Sequence, residues 1–356
     1  MKIARHIYLN RFLAILQVIA FLSTSVWSQD VYTRFRVEQG SGPITRTGNT
    51  GGSCEGIDVE KGFDLAAVYR EAIDMAAVAV VSMDNYASDA TVRANLQTWF
   101  AIKEDPTTHA VSAASVARFA KVRRYFQTVI DESGTPHNGA NPALFCSEKW
   151  RWRTRWVHDS QTGKKTGNLL KDDFGVDWLV WSPLFKGYSQ ENIMCQGGTF
   201  AFTSHGEWQS ITFCPLSFEY SRRKHTLAQW RNGQQTIADG TNMQMALSTP
   251  AVFLHELMHM VNRARDVKFA NPSNGKFETA YGAVLTGSLA LAAPDESANN
   301  ADNYMWCATA MYLPQYDWSR VIAGKRTANG AAARRSISAE AHGRKHTHHS
   351  GKRRQI

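Results

Sequence analysis

The chain is short of charge, of cysteine and of long apolar runs. Only 20% of its 356 residues are charged, against 43% hydrophobic, and 11 Trp and 17 Phe are among the latter. That balance excludes a disordered chain and leaves enough apolar surface for a sizeable core. The apolar run at 12–22 has 11 residues, too few to span a bilayer, and no later run is long enough either. No Asn-x-Ser/Thr acceptor, no internal repeat and no dibasic site between Gln29 and the first expected helix is present, so a long cleavable propeptide is not evident.

A net charge of +9 suggests an acidic partner, but the excess sits at the two ends. Lys2, Arg5 and Arg11 lie at the start, without acids, and residues 324–356 hold nine Lys or Arg against Glu340 alone. The body between is close to neutral, which gives no reason to expect nucleic acid on the folded domain. The basic start, the short apolar run and the small residues Val26 and Ser28 read as a secretory signal, 1–28, cleaved after Ser28. No membrane association is expected after cleavage, so the expected location is extracellular. The end of the chain, 324–356, is low-complexity and basic, with His342, His346, His348 and His349. It reads as a disordered tail open to trimming at Lys325-Arg326 or Arg334-Arg335. The rival reading has it bind acidic polymers, nucleic acid or metal.

Export makes the five cysteines interpretable, since four can form two disulfides in an oxidising compartment. Cys307 lies in an apolar helical run and is the expected buried thiol. Spacing does not fix the remaining pairing; Cys195 with Cys214 and Cys54 with Cys146 is the expectation.

Residues 29–323 read as an α+β domain, mainly helical with a small sheet. Asp64 is placed to cap a helix over 64–84, where Leu65, Val68, Ala72, Met75, Ala76 and Ala79 recur at helical spacing. Further helices are expected at 89–102 and 111–131. From 140 to 235 short apolar runs and Gly-Gly steps suggest strands and loops. Trp150, Trp152 and Trp156 alternate with arginines there, as in a half-buried strand, and 211–215 reads as a strand ending at Pro215. Thr249 as cap and Pro250 in the first turn open a helix through Val261. A turn centred on 271–275 follows, then helices at 278–292 and 297–313.

The chemistry concentrates in His255-Glu256-Leu257-Met258-His259. On a helix, residues four apart share a face, so both imidazoles are presented to one zinc ion. Glu256 stands where its carboxylate can take a proton from a metal-held water. Chance alone puts such a pentapeptide in about one in a hundred chains of this length. The helix start at Thr249 and the surrounding apolar residues argue against coincidence. A catalytic zinc takes three protein ligands and keeps one position open. Asp266, Glu278, Asp295, Glu296 and Asp302 are the downstream candidates for the third.

Together with Glu278-Thr279-Ala280-Tyr281-Gly282 and Asn300-Ala301-Asp302-Asn303-Tyr304, the pentapeptide resembles the aspzincin family of fungal secreted metalloendopeptidases, which includes the deuterolysins and the lysine-specific enzymes. The resemblance covers about 250–313. It implies a zincin-like fold with the pentapeptide on the active-site helix, one zinc ion, and protein or peptide substrates cut by a monomeric enzyme. Carried over residue by residue, it makes His255, His259 and Glu278 the zinc ligands, Glu256 the general base and Tyr281 the transition-state stabiliser. Asp302 becomes an acceptor for a ligand imidazole. The sequence departs from the family where Glu278 replaces an Asp, behind Lys276-Phe277 instead of Gly-Thr-x, at a longer interval from His259. Those departures leave a rival, a catalytically inactive secreted binding or effector protein that retains the fold.

Overall fold

Aspartate side chains start the first two long helices. Asp64 accepts the Ala67 N–H at 3.0 Å and opens α1 (Leu65–Asp84). Asp89 accepts the Thr91 and Val92 N–H groups at 2.9 and 3.2 Å and opens α2 (Ala90–Phe100). Each cap satisfies donors that a helix start leaves without intrahelical partners. The third helix, α3 (Val116–Glu132), begins later than the apolar pattern suggests. A 3₁₀ turn, Ala113–Ser115, precedes it, and Ser115 Oγ accepts the Lys103 N–H at 3.0 Å. Serine competing for the backbone in this way favours a turn over another helical turn.

The computed structural model describes residues 30–37, 54, 64–146, 156–158, 161–162, 165–169, 180–182, 187–189, 194–195, 198–205, 209–218, 226–321 and 324–325. The expected signal segment lies outside these residues. So does the tail, apart from Gly324–Lys325, which pairs with Tyr316–Asp317. Trp150 and Trp152 are outside as well, while Trp156–His158 forms a strand.

Helices and a small sheet share one core. Four strands, β1 (Arg36–Val37), β2 (Ala143–Phe145), β3 (Ala201–His205) and β4 (Gln209–Phe213), lie in the order β1-β2-β4-β3. The first three in that order run parallel, and β3 returns antiparallel against β4, with Thr203 opposite Ile211. The helix that carries His255 and His259, α4 (Thr249–Asn262), packs between this sheet and α1, α3 and the last helix. Ser248, not Thr249, caps it, accepting the Ala251 N–H at 3.2 Å, with Thr249 and Pro250 inside the first turn.

Residues 278–281 are not helical. Strands β5 (Lys268–Ala270) and β6 (Phe277–Thr279) form a hairpin across the expected turn. The next helix, α5 (Gly282–Ala292), starts only at a glycine with φ +76°. The last, α6 (Ala301–Tyr312), is buried at every residue, its polar Asp302, Asn303 and Thr309 included.

Aromatic rings bind these layers. Phe253 of α4 meets Phe35, Tyr69 and Phe213 with centroids 6.0, 5.6 and 5.1 Å away. Tyr304 of α6 meets Phe100, Tyr125 and Phe126 at 5.0, 5.5 and 5.2 Å. Each such contact adds about 0.5–1.5 kcal/mol beyond burial, and together they hold α4 against α1 and the sheet, and α6 against α2 and α3.

Cys54 pairs with Cys146 and Cys195 with Cys214, and Cys307 is a buried free thiol. The two bridges span 92 and 19 residues of sequence. Closing the longer loop removes more disorder from the unfolded chain, so replacing Cys54 and Cys146 by Ser is expected to cost about 3–5 kcal/mol. Replacing Cys195 and Cys214 is expected to cost less. Denaturant unfolding of the two variants measures the order, and a reversed order contradicts it.

Candidate metal centre

Two adjacent turns of α4 present His255 and His259, with ring planes at 79° and Nε2 atoms 2.9 Å apart. Asp266 Oδ1 lies 3.4 Å from Nε2 of His255 and 3.2 Å from Nε2 of His259. These three atoms surround a point about 2 Å from each, which is the length of a Zn–N or Zn–O bond. Among the described residues they form the one group of three or more such side chains that could hold a metal ion.

The chain after α4 explains why Asp266 arrives there. Arg263 ends the helix in the left-handed region at φ 55°, and the Ala264 N–H returns to the Met258 carbonyl at 3.2 Å. The Arg265 N–H then bonds the Asn299 carbonyl at 2.7 Å, and Ala301 N–H bonds the Arg265 carbonyl at 3.0 Å. Asn300 Oδ1 accepts the Val267 N–H at 2.9 Å. Asp266 is thus held between two anchored neighbours, against the head of α6.

Outer contacts aim both rings. His259 Nδ1 lies 2.7 Å from the Ala264 carbonyl, so it carries the proton and leaves Nε2 as the open donor atom. His255 Nδ1 is 2.7 Å from Asp302 Oδ1. The other oxygen of Asp302 accepts the Gly282 N–H at 2.7 Å, which ties His255 to the chain beside Tyr281.

The charges favour a cation at this point. Burial disfavours a charged His255, yet Asp266 and Asp302 overcome it and raise its pKa well above the usual histidine value. Burial likewise opposes ionisation of Asp266, but the two imidazoles beside it bring its carboxyl far below the ordinary range. Burial raises the pKa of Glu256, with the neighbouring histidines opposing. Two imidazoles among Glu256, Asp266 and Asp302 make a donor set that suits zinc.

Glu278, the third ligand that the resemblance implies, is not part of this group, and Asp266, another of the downstream candidates, is. The Glu278 carboxylate accepts amide N–H groups from Asn271 and Asn274 in the hairpin turn. Asp295 pairs with Arg118 and Glu296 with Arg265. The hairpin β5–β6 lies between Asp266 and Tyr281 in the chain. Tyr281 itself does reach the site. Its ring centre is 6.4 Å from that of His255, it lines the same cleft, and desolvation followed by the charge of Asp266 pushes its pKa up. A side chain at Gly282 would meet Gln244 Oε1 at 3.1 Å while its φ is positive, so a glycine suits that position.

These groups open into a cleft of about 960 Å³, with Phe202, Leu247, Val252, Met305 and Trp306 as apolar wall. Strand β3 contributes two residues that sequence reasoning did not single out. Thr203 Oγ1 donates to Glu256 Oε2 at 2.7 Å. His205 lines the same cleft, and burial, then Arg263, lowers its pKa to about 4, so it is neutral at pH 7. Nothing in the local sequence marks either one, because β3 lies far upstream of α4.

No protein-family model and no curated protein matches the chain. Among solved structures it is similar to a zinc peptidase from Grifola frondosa at 15% identity and a TM-score of 0.34, over 72% of this chain and 96% of that one.

Proposed function

We propose that the chain is a secreted zinc-dependent endopeptidase in which His255, His259 and Asp266 hold one zinc ion. The observation that carries the reading is the convergence of these three side chains beside the buried carboxylate of Glu256. Bound zinc would supply Lewis acidity, acidifying water and polarising a carbonyl in the cleft. Glu256 takes the proton from the attacking water and returns it to the leaving amine. Its raised pKa suits a group that must first accept and then donate. The Tyr281 hydroxyl donates a hydrogen bond to the oxygen that gains charge at the scissile carbon. Asp302 and the Ala264 carbonyl keep the imidazoles in register.

The apolar walls of the cleft suit a peptide's side chains. Strand β3, last in the sheet order, lines the cleft and gives an extended peptide a parallel surface to lie along. The two disulfides support export, and among the described residues no helix is long and apolar enough to cross a membrane. The rival reading of an inactive module rests on Glu278 in place of an Asp; an acid beside the histidines, Asp266, favours the enzyme.

The test uses purified chain and an unfolded protein such as casein. Cleavage is expected, with loss on treatment with a chelator and recovery on addition of one equivalent of zinc. Chelator-resistant cleavage, or zinc-loaded protein inert on a broad peptide library, would overturn the proposal.

A further inference from the structure

We infer that Thr203 is a positioning residue for Glu256: its hydroxyl holds one carboxylate oxygen, so that the other is left for the cleft. The inference rests on the proposed function, in which Glu256 is the base.

Three observations carry it. Thr203 Oγ1 is 2.7 Å from Glu256 Oε2 and 3.1 Å from the Glu256 carbonyl. A hydroxyl has one proton to donate, and the shorter contact goes to the acceptor that bears charge. Glu256 is only 3% exposed, so bulk water is not at hand to replace that donor. Thr203 and Glu256 both line the cleft, which places the contact at its wall. There, turning the carboxylate changes which oxygen faces a substrate.

The strand makes Thr203 suited to the task. Pairing with Ile211 fixes its backbone in β3. Branching at Cβ then restricts χ1, so the hydroxyl direction is set by the sheet and not by the helix that carries the base. Glu256 has three side-chain torsions of its own, and a base a fraction of an ångström out of place loses rate steeply. Sheet and helix thus meet at one carboxylate.

The experiment compares Thr203→Val, Thr203→Ala and Thr203→Ser in zinc-loaded protein. Thr203→Val keeps the shape and removes the donor. It is expected to lower kcat at least about tenfold with KM changed less than about twofold. Thr203→Ala is expected to match it, which covers the case in which valine perturbs packing. Thr203→Ser should stay within about threefold of the parent, because it restores the donor. Zinc content and unfolding midpoint should stay at parental values in all three. In a Glu256→Gln background, Thr203→Val should cost nothing further.

Parental kcat in both donor-free variants overturns the inference. So does a loss confined to KM, a serine variant as poor as valine, or the same loss without Glu256. If the parent protein cleaves no peptide, the proposed function fails separately. The positioning claim is then decided by crystal structures of the parent and Thr203→Val. A turned Glu256 carboxylate on an unchanged main chain supports it, and an unmoved carboxylate overturns it.

Discussion

Glu256→Gln is expected to lower kcat/KM by about 10²–10⁴-fold, to a small residual rate, while zinc stays bound. The substitution changes one oxygen to an amide and leaves His255, His259 and Asp266 untouched. Glutamine still offers an oxygen to the Thr203 hydroxyl, so the contact at 2.7 Å survives. What it lacks is the ability to take a proton from water. Stability should hold or rise, because burial disfavours the charged carboxylate that the variant removes. Steady-state kinetics beside metal analysis and thermal unfolding measure all three. A fully active glutamine variant would end the role given to Glu256, and one that lost its zinc would leave the result uninformative about proton transfer and point to metal retention instead.

Asp266→Asn is expected to release the metal. The carboxylate stands 3.4 and 3.2 Å from the two Nε2 atoms, and among the described residues no other acid joins them as a possible ligand. Losing the one carboxylate of the group should weaken zinc binding beyond the about 10- to 100-fold typical of removing an outer partner. Asp302→Asn removes such an outer partner and should fall within that range. Glu278→Gln should leave affinity at the parental value, since Glu278 serves the amides of Asn271 and Asn274 in the hairpin turn. Competition titration against a chromophoric chelator ranks the three variants. If Glu278→Gln sheds zinc and Asp266→Asn keeps it, the family motif assigned the third ligand better than the geometry did.

Much of the scaffold was legible because it is local. Leu65, Val68, Ala72 and Met75 repeat at helical spacing behind a capping Asp64, and that segment is α1. The turn at 271–275 was visible in its Asn, Pro and Gly residues. What lay beyond it was not, because Phe277-Glu278-Thr279 becomes a strand only by pairing with Lys268–Ala270. A stretch this short has no period of its own, and tertiary pairing decides its state.

The site divides along the same line. That His255 and His259 face one point was legible in the sequence alone, since an interval of four on a helix puts two rings on one face wherever that helix lies. Tyr281 and Asp302 were also within reach, through motifs near the helix. Which acid stands beside the rings was left to the tertiary structure. Asp266 is there because Asn299, Asn300 and Ala301 hold its neighbours by backbone and side-chain bonds. Glu278 is absent because its hairpin turns it toward two asparagines. Thr203 reaches Glu256 from 53 residues upstream. Periodicity records what one segment can present. It carries no information about which distant carboxylate or hydroxyl folding brings within bonding distance.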